Sequence, residues 1–211
     1  QGLQDMQAGA IADIGAVTTN CDQALAIAEE QAGVVGTQVV IGIAGELVKG
    51  ATHSVKVSRK DASKPLDDEE VKKIIRLVQA RALERAKDQL SLELGRKDVE
   101  VRMVNSALVR MQIDGYDITN PIGFQGKEVM VQLYTAFAPM IHIGALERVA
   151  ETLDLDLLAV AAEPFAVARA VVGDDQNNKT NAVVMDVGGG TTDIAVLSDG
   201  GVMGTKMFGI G

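Results

Sequence analysis

The chain has 211 residues, of which 47% are hydrophobic and 23% charged. That is the composition of a globular protein with room for one large or two small domains, and it excludes a disordered chain. A formal net charge of −9, with no Lys/Arg run, argues against nucleic acid or an anionic membrane surface as the main partner.

The 22 glycines, the 3% aromatic content and the lack of Trp require a core of Val, Ile, Leu and Ala, as in layered α/β proteins. The first residues, QGLQDMQAGAIADI, lack the basic start and apolar run of a signal peptide. The longest apolar stretch, 157–172, is interrupted by Glu163, Pro164 and Arg169 and cannot span a bilayer.

In chain order, Ile14, Val17, Cys21, Ala24, Leu25 and Ala28 recur at helical spacing, and Gly33 stands where a helix C-cap belongs. Cys21, the sole cysteine, allows no intrachain disulfide and lies on this apolar stripe, which predicts a core thiol. Residues 38–44, QVVIGIA, read as a buried strand between Gly36 and Gly45. A helix followed by such a strand predicts an α/β layer with a largely parallel sheet.

From residue 47 the pattern changes. Val55 and Val57 alternate with polar neighbours in HSVKVSRK, residues 53–60, and Lys56, Arg59 and Lys60 form the charge pattern of an edge strand that avoids pairing. Asp67 with Glu70 resembles a capping box opening a long helix. Val71, Ile74, Ile75, Val78, Ala82 and Ala86 give its core face, with Lys72, Lys73, Arg76, Arg81 and Arg85 largely opposite. Two strands follow, over 99–114 with a bulge and over 128–137. Strand, helix, strand, strand makes a small α+β module with one sheet face covered by the helix. His53 and His142 have no metal-ligand spacing, and Asn178-Lys179-Thr180 formally matches a glycosylation acceptor.

Residues 182–211 carry the most chemistry. Ala182, Val183, Val184 and Met185 read as a buried strand that breaks at Asp186 into Gly188, Gly189 and Gly190. Glycines let backbone N–H groups converge on an anion, and Thr191 and Thr192 add hydroxyl donors. Asp186 could hold a hydrated Mg²⁺, which keeps most of its waters. A second strand, 193–198, continues with Ile194 and Val196 alternating with other residues. The arrangement is no P-loop, since no Lys-Ser or Lys-Thr follows the glycines and a strand comes next. A plain Gly-rich hairpin is the bland alternative.

DVGGGTTDIAV resembles the second phosphate loop of the actin, Hsp70 and sugar-kinase ATPase superfamily, whose fold is an α/β, ribonuclease H-like core. AAEPFAVARAVV, residues 161–172, is similar to the segment preceding that loop in bacterial actins. The resemblance assigns Glu163 the role of positioning or polarising the attacking water. Pro164 at a first helical position fits, because its missing N–H would have no partner there, and a helix N-terminus favours anions.

GIAGELVKG, residues 42–50, and DITNPIGFQGKEVMVQLYTAFAP, residues 117–139, resemble the FtsA family of bacterial cell-division actin homologues, which carry an inserted strand-helix-strand-strand subdomain, 1C. On this resemblance residues 1–46 end the first actin-like domain, 47–140 form subdomain 1C, and 141–211 comprise connecting helices and the opening of the second domain.

The family implies ATP and Mg²⁺ as cofactors, FtsZ and later division proteins as partners, and self-association into protofilaments. It also implies a cytoplasmic location peripheral to the membrane through a C-terminal amphipathic helix. The first phosphate loop would precede Gln1, and the adenosine-binding glycines and that helix would follow Gly211, so the sequence is expected to be a part cut from a longer polypeptide. Two other readings are a PilM-like pilus-assembly scaffold and a non-catalytic interaction module with a relic loop. Asp186, the three glycines and both threonines together argue against the last, because a decayed site has no physical need of all six.

Overall fold

The computed structural model describes residues 5–7, 9–173 and 179–211. The first four residues and Asn178 of the acceptor sequence therefore lie outside the described residues. Two short paired strands, β1 (Met6–Gln7) and β2 (Ala10–Ile11), precede α1 (Ile14–Ala32). Asp13 caps α1 by accepting from the Ala16 N–H, and Gly33, at φ 69°, closes it in the left-handed conformation that glycine adopts without steric penalty.

Next come β3 (Gln38–Ile43), β4 (Lys49–Ser58), α2 (Asp68–Leu94), β5 (Val101–Ile113), β6 (Tyr116–Asp117) and β7 (Glu128–Pro139). The chain continues through α3 (Met140–Thr152), β8 (Asp156–Ala162), α4 (Glu163–Val172), β9 (Ala182–Val187), β10 (Thr192–Ser198) and β11 (Gly201–Phe208). Among the described residues no helix is long and apolar enough to cross a membrane.

β3 and β8 pair in parallel. The other strands are antiparallel, and seven of them form one sheet in the order β6-β5-β7-β4-β11-β10-β9. The expectation of a largely parallel sheet is thus corrected: among the described residues parallel pairing is confined to β3 and β8, and the other strands pair antiparallel. The module's sheet is also not separate, because β4 pairs with β11 at Gly50–Thr205 and Ala51–Gly204.

The long helix lies on this sheet as its spacing predicts, with Ile74, Val78, Ala82, Ala86 and Leu90 buried. Asp67 caps it by accepting from the Glu70 N–H. The reciprocal half of the capping box is absent: Glu70 turns to Arg59 in a two-pronged ion pair, both contacts 2.8 Å. Arg59 is therefore buried, not a guard of the strand edge, and Lys56 bridges to Glu128 at 3.0 Å.

Central strand β7 is covered on both sides. Val129, Val131 and Leu133 join the core beneath α2, while Tyr134, Ala136 and Ala138 face a second core shared with α3, α4 and β10–β11. The expectation of one covered sheet face holds for the first half of β7 and fails for the second, because the Tyr134 ring stacks on Phe165 of α4. The two register irregularities in β5, at Met103/Asn105 and Leu108/Arg110, match the expected bulge and add one more.

Three burial expectations are overturned. Cys21 is exposed, since α1 buries only Val17. In β3 only Ile43 is fully buried. Along β10 the buried residues are Asp193, Ala195 and Leu197, so Ile194 and Val196 occupy the opposite face, which they share with exposed Val183 and Met185 of β9. A run that is apolar on both faces gives no phase; here packing against α4 selects the face.

Candidate functional site

The loop between β9 and β10 is built by four residues, Gly188 to Thr191. Gly188 N–H closes it by donating to the Thr191 carbonyl at 2.9 Å. None of the three glycines has the positive φ that would demand glycine, and a Cβ built on Gly189 or Gly190 meets nothing within 4 Å. Neither turn geometry nor internal packing thus explains these two glycines. What their missing side chains leave open is the approach of something outside the chain to the backbone.

β10 returns antiparallel, which sets Asp193 directly across from Asp186. Residues so paired have side chains on the same face. Asp193 is 3% exposed, and its Oδ1 has no hydrogen-bond partner. Burial first, and then the Asp186 carboxylate, push its pKa above the usual carboxylate range.

Glu163 opens α4 immediately after β8, with Pro164 as the second residue of the helix and not the first. The physical argument survives this shift, as first-turn N–H groups have no helical acceptor. Parallel pairing sets Ala161 beside Gly42, and the Glu163 side chain lies over that glycine: a Cβ at Gly42 would come within 2.7 Å of Glu163 Cγ. Burial, then the charges of Asp193 and Asp186, raise the Glu163 pKa. A carboxylate raised in this way accepts a proton more readily near neutral pH.

Glu163, Thr191, Gly42, His142 and Gly9 line a cavity of about 180 Å³ between α3, β3 and the glycine loop. His142, half-buried, has its pKa lowered by desolvation.

The structure therefore brings Glu163, Asp186 and the glycine loop together, with Thr191 on the cavity wall. Thr192 differs: its hydroxyl donates to the Ile210 carbonyl at 2.7 Å and holds residues 209–211 against the loop. Among the described residues no three acidic, histidine or cysteine side chains stand close enough to grip one bare metal ion. Sequence reasoning missed Asp193, Gly42 and His142. The signal for Asp193 was present in DVGGGTTD, since a four-residue turn sets the two aspartates opposite each other.

No known protein-family profile matches the chain. Among curated proteins it is similar to cell division protein FtsA of Neisseria meningitidis, 25% identical over 206 residues, which covers 98% of this chain and 46% of that protein. FtsA of Bacillus subtilis is 23% identical over 211 residues, covering 99% of this chain and 44% of the relative. For FtsA of Pseudomonas aeruginosa the identity is 22% over 207 residues, with coverages of 97% and 45%.

Among solved structures, a chain of a PilM-PilN type IV pilus biogenesis complex superposes with a TM-score of 0.60 at 13% identity, covering 99% of this chain and 52% of that one. The likeness to FtsA thus runs along nearly the whole sequence, and the fold is the mixed α/β fold of actin-like ATPases. The chain spans about half the length of the curated relatives it matches.

Proposed function

We propose that this chain carries the phosphate-and-magnesium face of an actin-like ATP site in an FtsA-type cell-division protein. The observation that supports it most is the pairing of two glycines that no contact among the described residues requires with the buried carboxylate of Asp193, whose Oδ1 has no hydrogen-bond partner. A backbone open to close approach suits phosphate oxygens, and a carboxylate pair that no ion pair relieves among the described residues suits a hydrated divalent ion.

In this reading the loop from Gly188 to Thr191 cradles phosphate. Gly189 and Gly190 offer backbone N–H groups, Thr191 offers a hydroxyl, and Gly188 holds the turn closed. Asp186, with Asp193 behind it, would hold a hydrated Mg²⁺, which when bound would offset the charge of the phosphates and of the facing carboxylates. Glu163 orients a water over the backbone of Gly42 and accepts its proton, and Thr192 positions the loop from behind. Polymerisation, tethering of FtsZ at the membrane and recruitment of later division proteins belong to the same proposal for the whole protein, with the stretch of β4 beyond its short pairing with β11 as a contact for protofilament or partner.

A second reading is a PilM-like pilus-assembly scaffold, on the fold that the PilM-PilN chain shares. Calorimetry and turnover assays on the full-length protein separate the two. Glu163→Gln should slow ATP hydrolysis with affinity nearly unchanged, because the residue acts in the transition state, and Asp186→Ala should weaken Mg²⁺-dependent binding. Tight nucleotide binding without any turnover supports the scaffold. Mg²⁺ dependence untouched by Asp186→Ala removes the metal assignment. The 211-residue chain alone, with one phosphate loop, should bind Mg·ATP very weakly, and micromolar affinity would show that the other loop is dispensable.

A further inference from the structure

Where β4 and β11 part company, they and α2 enclose a second cavity of about 110 Å³, whose wall includes Lys49, His53, Arg85, Gln89, Phe137 and Lys206. On a chain of net charge −9 this hollow is cationic. Lys49 is already satisfied, with its Nζ 2.6 Å from a Glu93 carboxylate oxygen and 2.6 Å from the Glu46 carbonyl oxygen. The Glu46 carboxylate, also on the wall, accepts from the Gly209 N–H at 3.0 Å.

Arg85 and Lys206 are different. Among the described residues neither has a carboxylate within ion-pair distance. The polar contact of Arg85 is with His53 Nδ1 at 3.3 Å, and Lys206 lies 5.8 Å from the centre of the Phe208 ring. His53 is half-buried, and desolvation together with the Arg85 guanidinium lowers its pKa. Neutral His53 turns Nδ1 to Arg85 as acceptor, which leaves Nε2 as the N–H donor.

We propose that this hollow binds a single oxyanion group, a carboxylate or a phosphate, between Arg85 and Lys206, with His53 as a neutral donor; Gln89 on the wall already donates to Glu93 at 3.0 Å. The volume suits one such group and is well below the several hundred Å³ of a site for a whole nucleotide or drug-sized ligand. Two cations outside any ion pair among the described residues, of which Lys206 acts only at longer range on the Glu93 carboxylate, stand beside an apolar wall formed by Ala82, Ala86 and Phe137 and favour a charge-assisted contact, a strong kind of hydrogen bond for a side chain. Arg85 belongs to α2 and Lys206 to β11, so the anion would join the two.

The chain has only two histidines, which makes His53 a resolved reporter in nuclear magnetic resonance. The 211-residue chain is titrated with inorganic phosphate, with a short glutamate-containing peptide, and with sodium chloride at matched ionic strength. Saturable movement of the His53 ring signals and a rise in its pKa are expected, with His142 unaffected. A response to phosphate identifies a free anion as sufficient, and a response to the peptide alone identifies a carboxylate presented by a partner.

Arg85→Gln with Lys206→Gln, both at partly or fully exposed positions, should weaken the response about tenfold or more, with circular dichroism reporting an intact fold. No saturable shift with either probe, an equal shift with chloride, or a shift that survives the double substitution would overturn the proposal.

Discussion

Asp193 stands directly across the β9–β10 hairpin from Asp186, buried and without a hydrogen bond to its Oδ1. Directly opposed like charges destabilise a sheet by roughly 0.2–1 kcal/mol, and this pair lies beside Glu163. Asp193→Asn should therefore raise the melting temperature at pH 7 by about 2 °C.

The pH dependence has a fixed sign. Asp193 and Glu163 both have raised pKa values, so their protonated forms favour the fold. Stability from them is fully present below the ordinary carboxylate pKa and is lost as pH rises through the raised folded values. Acidification from neutral pH should stabilise the wild type more than Asp193→Asn. Millimolar Mg²⁺ should do likewise, and calorimetric scans in which both respond equally would reduce Asp193 to a packing residue.

The stack of Tyr134 on Phe165, centroids 5.1 Å apart and rings within 7° of parallel, ties β7 to the helix that begins with Glu163. A double-mutant cycle with Tyr134→Leu and Phe165→Leu should give a coupling of about 0.5–1.5 kcal/mol. The Tyr134 hydroxyl meets Thr205 Oγ1 at 3.0 Å, and burial pushes its pKa up to about 12. One of the chain's two tyrosines should thus remain un-ionised at pH 11 in an ultraviolet titration of the folded protein. Gly50→Ala, whose Cβ would collide with both hydroxyls, should destabilise by about 1–3 kcal/mol.

Arg59 donates to both Glu70 oxygens and also to the Gly126 and Lys64 carbonyls. Removing either partner of a buried, hydrogen-bonded pair costs about 3–5 kcal/mol, and Arg59→Leu should approach that figure. Glu70→Gln should cost less because Glu70 is partly exposed. The Arg59 hydrogen bond lowers the Glu70 pKa, so stability from the pair is present above the ordinary glutamate pKa and is lost as pH falls through the lowered one. Chemical denaturation near pH 3 should find the wild type and Glu70→Gln closer together than at pH 7.

The edge of β4 can be probed residue by residue. Arg59 N–H donates to the Lys127 carbonyl, and with Val57 facing Val129 the antiparallel alternation turns the Val57 N–H toward β7 and the Lys56 N–H outward. Val57→Pro should damage the ladder and the fold. Lys56→Pro should leave the chain folded and, where this edge is the contact, abolish self-association or partner capture in sedimentation and pull-down experiments. Unchanged association in folded Lys56→Pro would move the contact to another surface, such as the helix face around Arg76 and Lys87.

Local rules were readable before any coordinates. Asp67, Gly33 and the spacing from Ile74 to Ala86 fix helices through caps and a single apolar stripe, and the glycine turn after Asp186 announces itself by composition. What escaped depends on contacts distant in sequence. The run from Ala182 to Met185 carries no polar residue to mark its outer face, so only packing on α4 selects one. Cys21 follows helical spacing on a helix that buries a single residue. The pairing of β4 with β11 joins residues about 150 positions apart and involves only glycine, alanine and threonine, which carry no distinctive signal.

Asn105, at the irregularity of β5, accepts the Ala162 N–H on its Oδ1 at 2.7 Å. Ala162 is the residue before Glu163. A strand held by its loops alone could drift against its neighbours at little expense, but here any such drift strips a buried amide of its acceptor, a loss of about 1–3 kcal/mol. β5 is thereby a fixed strut for the backbone that carries Glu163, and a ligand that displaced it would be felt first at that carboxylate.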